Sequence, residues 1–431
     1  MKRYPILLLV VWCLCFSINN NVWSQVSPIE IAVISDVHVM APSLLVKEGA
    51  AFDEYMRSDR KMLKESAALL DALTEQLLKA NPQFVFLTGD LTKDGEAVSH
   101  AYLKTHCLEK LKRAGILVLV IPGNHDINNP HAVSYDGDRK ERVETISRDD
   151  FARLYADYGY GKALARDAYS LSYVYQLTPE LRVLAIDACK YDENDFDEDI
   201  CRHDGRIRSE TMDFIKEQME DAQRQGIRVI GMMHHGLLEH WKYQNQVIPG
   251  YVVDDWKKVR KTLSKEGLEI LFTGHAHTQD IVRYKGIYDI ETGSPVSYPS
   301  PYRLVTLKGD SLFVHSQRLT SIDFDTKGMD FQQYGRASTS QGFRTIASGM
   351  LPDNVPDSLR QRAVNVVAEA MSDNYHGDEC LTDENRKEIK EIKRALRKYS
   401  FKWSIIFKKV AYSLWSDKDP ADNELLITLQ K

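Results

Sequence analysis

Apolar runs broken by glycine-bounded polar turns recur along the chain, and their period changes from one stretch to the next. Short runs rich in β-branched residues read as buried strands; they cover residues 31–35, 84–88, 116–122, 229–233 and 270–273. Between them the spacing turns helical. Residues 60–80 carry Met62, Leu63, Ala67, Leu70, Leu73, Leu77 and Leu78, which predicts a helix with one buried face. Residues 96–113, 209–224 and 254–263 continue the alternation, which implies sheets joined by helical crossovers. From residue 281 the pattern shifts to short strands at 281–284, 287–291, 303–307 and 312–315, with Gly309-Asp310 as a hairpin turn. The expected fold class is α/β, with two mixed sheets packed face to face and helices outside.

Three segments interrupt this scaffold, each beginning just after a strand end. Residues 127–167 are polar and aromatic, with His131, Tyr135, Tyr155 and Tyr158; residues 190–208 are acidic; residues 236–251 contain His240, Trp241 and Tyr243. Each is expected to overhang the strand ends as a rim or lid. The acidic run reads as a solvated loop. Beyond residue 316, residues 320–344 are polar and weakly patterned, whereas 356–371 and 383–397 read as helices. Residues 401–415 form a basic amphipathic stretch, expected to dock its apolar stripe on the protein itself rather than on a membrane surface. The chain thus divides into residues 1–24, 25–316 and a mainly helical region, 317–431, to which no motif assigns a chemistry.

Polar chemistry is concentrated where the strands stop. Asp36-Val37-His38, Gly89-Asp90, Gly123-Asn124-His125-Asp126, His234-His235 and Gly274-His275-Ala276-His277 each end an apolar run. Open α/β sheets bind their ligands beyond the carboxyl ends of their strands. A lone Gly-Asp or His-His pair means little. Yet His38, His125, His234, His275 and His277, of thirteen histidines in all, fall in these slots, and the joint occurrence points to a two-metal hydrolase. Mixed imidazole and oxygen donors suit Mn, Fe, Zn or Co without choosing among them. No cysteine occupies a slot, which argues against a thiolate zinc site.

In this order the motifs resemble the calcineurin-like metallophosphoesterase superfamily over about residues 31–277, with flanking strands to about 316. The resemblance implies a four-layer sandwich of two mixed sheets between helices, and a dinuclear centre with a bridging hydroxide. Asp36, His38, Asp90 and His277 would hold one metal; Asp90, Asn124, His234 and His275 would hold the other, Asp90 bridging. His234 is the implied ligand of its pair and His235 its neighbour. His125 would bind no metal but lie over the phosphate, stabilising it or protonating the leaving oxygen. Asp126 follows it directly and is a candidate partner for the ring, since such partners fix orientation and tautomer. Two departures matter. Lys93 stands where purple acid phosphatases carry a tyrosine, and Leu91–Gly95 replaces the Asp-Arg-Gly of the protein phosphatases. The latter leaves His125 without an assured carboxylate from this loop, Asp94 being a candidate out of place.

The expected activity is cleavage of a small phosphomonoester or phosphodiester. A nuclease of the same superfamily and a non-catalytic binding member are the rivals. A net charge of −6 disfavours a long polyanion, and the full ligand set disfavours a decayed site. The N-terminus has the form of a signal peptide: Lys2 and Arg3, an apolar run over 6–16 too short for a bilayer span, and small Ser24 before Gln25. A secreted or periplasmic protein is expected, the alternative being an uncut anchor. Loss of that segment removes two positive charges and takes −6 to −8. Four cysteines remain, either with Cys189 and Cys201 bridged or all as free thiols.

Overall fold

Ile31, Ala32, Val33 and Ile34 are all fully buried, as expected of a strand covered on both faces. This strand, Ile29–Ile34, is central to the first of two large sheets in the computed structural model, which describes residues 27–430 apart from 58 and 418. The expected signal peptide lies outside the described residues.

The first sheet has six strands, in the order Glu424–Thr428, Ser311–Arg318, Pro301–Lys308, Ile29–Ile34, Phe84–Leu87 and Leu117–Val120. Its last three run parallel and in register, Ile34 opposite Leu87 and Leu87 opposite Val120. The second sheet orders Asp280–Tyr284, Ile287–Glu291, Ile270–Thr273, Arg228–Met233, Leu181–Ile186, Tyr173–Thr178 and Ala165–Arg166. Here too the central strands are parallel, Met232 facing Phe272. One apolar core joins the sheets, with Phe86 and Phe272 meeting edge to face across it. The α/β sandwich of two mixed sheets with helices outside is therefore the fold of this chain.

Local differences have local causes. The helix expected from residue 60 starts at Ser66 and ends at Ala80, because residues 59–65 are drawn away into contacts with distant parts of the chain. A small three-stranded sheet, Leu45–Lys47, Val133–Asp136 and Arg139–Arg142, forms partly from the 127–167 segment. That segment also sends Tyr135, Tyr155 and Tyr158 into the interior instead of over a rim.

The C-terminal region forms four helices, Phe331–Met350, Asp357–His376, Asp383–Leu396 and Phe401–Leu414. The first coincides with the weakly patterned stretch, because its buried face is mostly Gly335, Thr339, Ser340 and Gly342, with no apolar stripe to betray it. Phe407, Ala411 and Leu414 of the last helix pack into a cluster with Leu359, Ile389 and Trp241. The region is not only helical: Glu424–Thr428 returns to the first sheet and pairs antiparallel with Ser311–Arg318. No helix among the described residues is long and apolar enough to cross a membrane.

The four cysteines are free. Of the two readings, free thiols rather than a Cys189–Cys201 bridge are found; the Cys189 thiol faces the Pro122 carbonyl at 3.5 Å and the Cys201 thiol that of Asn124 at 3.9 Å.

Candidate metal centre

Matching registers in both sheets bring the five strand ends to one place. Asp36, His38, Asp90, His275 and His277 all leave their strands with φ between 42° and 76°. Non-glycine residues rarely adopt this left-handed region, and such strain collects at functional sites. The loops also interlock. A Cβ added to Gly123 would lie 2.1 Å from both the backbone nitrogen and Oδ1 of Asp90, so only glycine lets the two loops touch.

All seven expected ligands are buried and converge. Asp90 Oδ2 lies 3.6 Å from His38 Nε2 and 3.3 Å from His234 Nε2. Asp90 Oδ1 is turned away and accepts the His125 backbone N–H at 2.9 Å. On one side His277 Nε2 approaches Asp36 Oδ1 (3.3 Å) and His38 Nε2 (3.1 Å). On the other, Asn124 Oδ1 lies 3.2 Å from His234 Nε2. Donor atoms of Asp36, His38 and His277 fall within 4.8 Å of one another, as do those of Asp90, His234 and His275, and of His38, Asp90 and His125.

These side chains fit cations better than they fit each other. Buried polar atoms are nearly always hydrogen-bonded, yet Asp36 Oδ1 and His275 Nε2 have no such partner among the described residues. The opposite edges of the same groups are held. Asp36 Oδ2 accepts from Ser35 Oγ (2.5 Å) and the His275 backbone (2.9 Å). His234 Nδ1 donates to the Thr88 carbonyl (3.0 Å), which leaves the Nε2 lone pair facing inward. Burial disfavours a charged His234, but the Asp90 carboxylate outweighs it and raises the ring to about 9, a measure of the negative field a cation meets here. Burial holds His275 and His38 well below the usual histidine range, as neutral donors.

His125 stands at the mouth of this cluster, its Nε2 4.0 Å from Asp90 Oδ2. Its expected partner must be corrected. Asp126 does not touch the ring; its carboxylate accepts from the backbone of Gly123, Leu91 and Thr92 and from Thr92 Oγ1, bracing two ligand loops from beneath. The ring's partner is Asp94, whose Oδ1 meets His125 Nδ1 at 2.8 Å. Burial opposes ionisation of Asp94, but buried Lys93 contacts its other oxygen and keeps it well below the usual carboxylate range. Lys93 also pairs with Glu96 at 3.1 Å, so the departure from the family loop supplies its own anchor.

The centre opens into a cavity of about 540 Å³. Arg60, Lys61, Lys140, His203 and Tyr251 line it beside the ligands. Tyr251 stacks on His275 with ring centroids 4.6 Å apart. It is the part of the 236–251 segment that reaches the site. His240 is instead fully buried among Asp280, Asp289 and Glu291, and Trp241 lies in the helical cluster. His235 belongs to none of the donor groups; its Nε2 pairs with the His203 carbonyl at 3.0 Å. No periodicity marked Arg60 or Lys61, whose charges fit the polar face of the helix expected there.

Similar structures include a dimetal phosphatase from Danio rerio, 14% identical, covering 67% of this chain and 96% of that one at a TM-score of 0.49. A putative 5'-nucleotidase from Staphylococcus aureus is 17% identical over 73% of this chain and 58% of its own, with a TM-score of 0.40. GAP50 of Plasmodium, an anchor in the inner membrane complex, is 10% identical over 77% and 98%, at 0.37. No curated protein sequence matches. The family match is direct: calcineurin-like phosphoesterase, over residues 29–279. That span contains every strand-end motif of the centre, and the chain belongs to the calcineurin-like phosphoesterase family.

Proposed function

We propose that this protein hydrolyses small phosphate esters at a dinuclear metal centre. The observation that supports it most is Asp90 Oδ2 lying between two sets of buried donors, in a cavity open to a small substrate. Asp36, His38, Asp90 and His277 would hold one ion, and Asp90, Asn124, His234 and His275 the other. When bound, two such ions acidify a water and neutralise charge on the attacking and leaving oxygens of an in-line displacement. His125 faces the cavity with Nδ1 held by Asp94, so its Nε2 is free to give a proton to a departing alkoxide or to hold a phosphoryl oxygen. Asp126 keeps the ligand loops together rather than orienting the His125 ring.

The test is chelator-stripped protein reloaded with Mn, Fe, Zn or Co and assayed on aryl monoesters, aryl diesters, nucleotides and head-group esters. Two ions per chain and hydrolysis of at least one class are expected. A protein that binds two ions and cleaves none of these would sink the reading. Asp90→Asn should lower occupancy of both ions together, because a neutral amide bridges cations poorly; full occupancy by elemental analysis would remove Asp90 from that role.

A further inference from the structure

One cation in the cavity has no place in the family's motifs. The Lys61 side chain is only 8% exposed, and its described charge partner, Asp59 Oδ2, is 3.7 Å from Nζ, beyond hydrogen-bond reach. It lines the same cavity as His38, Asp90, His125 and His277. A buried ammonium is costly unless an opposite charge meets it. The metal-type donors cannot be that charge, since cations held by Asp36 and Asp90 would make this corner more positive. Glu54 and Asp59 also line the cavity, but among the described residues only Asp59 comes within 4 Å of the ammonium, so an anion entering beside the centre would find Nζ available to donate.

The backbone that carries Lys61 is held from the far end of the chain. Arg60 Nε donates to Tyr375 Oη at 2.6 Å, on the helix Asp357–His376. The helix Phe331–Met350 passes so close that a Cβ on Gly342 would lie 2.4 Å from the Asp59 carbonyl oxygen and 2.8 Å from Arg60 Cα. Tyr334 of the same helix bonds Glu65, and Met62 N–H donates to the Val296 carbonyl at 2.6 Å. These contacts hold residues 59–65 out of the helix that begins at Ser66, with Lys61 turned toward the ligands.

We propose that Lys61 is a phosphate-binding residue, its ammonium donating to a nonbridging phosphoryl oxygen beside the metal centre, and that the C-terminal helices position it through Arg60 and Tyr375. This rests on the phosphoesterase reading above. It gives the helical region a task in the site rather than a chemistry of its own.

The experiment uses the full-length, manganese-loaded protein, titrated calorimetrically with inorganic phosphate. Lys61→Met keeps the aliphatic stem and so the packing. It should weaken phosphate binding by ~10–100-fold, the worth of one charge-assisted hydrogen bond, with metal content and unfolding midpoint unchanged. Lys61→Arg should restore much of the affinity. Tyr375→Phe should lose less than Lys61→Met, raising KM for a nitrophenyl ester more than it lowers kcat. Unchanged phosphate affinity in Lys61→Met overturns the proposal, as does a loss that only tracks loss of manganese. Should the wild type bind phosphate through Lys61 yet cleave no ester, the anion site stands and the phosphoesterase reading falls.

Discussion

His125 is the residue whose role can be separated from metal binding most cleanly. It lies at the mouth of the donor cluster and shares one donor group with His38 and Asp90, but the groups Asp36, His38, His277 and Asp90, His234, His275 do not include it. His125→Ala should lower kcat by ~10²–10⁴, the span of a positioned general acid, with metal content unchanged. The fall should shrink for nitrophenyl esters, whose leaving group needs no proton. Wild-type turnover of an alkyl ester by the variant would make His125 a bystander. Its acidity gives a second test. Burial disfavours the imidazolium, but the carboxylates of Asp90 and Asp94 outweigh burial and raise the ring above the ordinary histidine value. If the protonated ring is the active form, turnover of a poor leaving group is full below that raised pKa and falls as pH rises through it. Asp94→Asn removes one of the two carboxylates, so the fall should move to lower pH. A descending limb that stays in place would show that Asp94 does not act through His125. Adjacency in sequence suggested Asp126 for this task. The turn after Gly123 sends neighbouring side chains in different directions, and that cannot be read from order alone.

At the scale of elements, the centre depends on parallel strands ending together and on turns that let their loops touch. Gly123→Ala tests this without altering a ligand. The new methyl would overlap the Asp90 backbone and carboxylate, so the loops must part. A cost of about 1–3 kcal/mol is typical of such overpacking, and occupancy by elemental analysis should drop with it. A variant of full stability and occupancy would mean that the two loops can part without disturbing the ligands. The strands and their terminal ligands were legible in the sequence because an apolar run and the polar group that stops it are local signals. Three features show why others were not. Residues 59–65 carry Arg60, Lys61 and Lys64, which match the polar face of a helix; only contacts with residues 296, 334, 342 and 375 keep them out of one. The helix Phe331–Met350 buries small and polar residues, so its packing leaves no apolar period. The pairing of Asp94 with His125 depends on the Leu91–Gly95 loop and on Lys93 beneath it, partners that spacing does not reveal.

Over the whole molecule, the proposed function makes the donor cluster a stability element as well as a site. Two buried carboxylates and several neutral imidazoles meet where unpartnered atoms are disfavoured. Ions that bind only the folded form stabilise it, by about 2.7 kcal/mol when free metal is a hundredfold above its Kd. Chelation should therefore lower the melting temperature, and returning metal should restore it in a concentration-dependent way. A Tm indifferent to chelator, with metal shown to be removed, would mean that the ligand loops are held by the protein alone.

The strand Glu424–Thr428 has a consequence in time. Every residue of the donor set precedes position 278, but the outer edge of Ser311–Arg318 stays unpaired until the last strand arrives, and an open edge is a template for wrong pairing. Tyr375, which holds Arg60, is also made late. On the ribosome the ligands thus exist well before the scaffold that steadies them. We expect ion capture to follow completion of the chain rather than synthesis of its ligands. Nascent chains arrested between residues 280 and 420 should retain less metal than released protein. Equal retention would show that the strand ends close on their own.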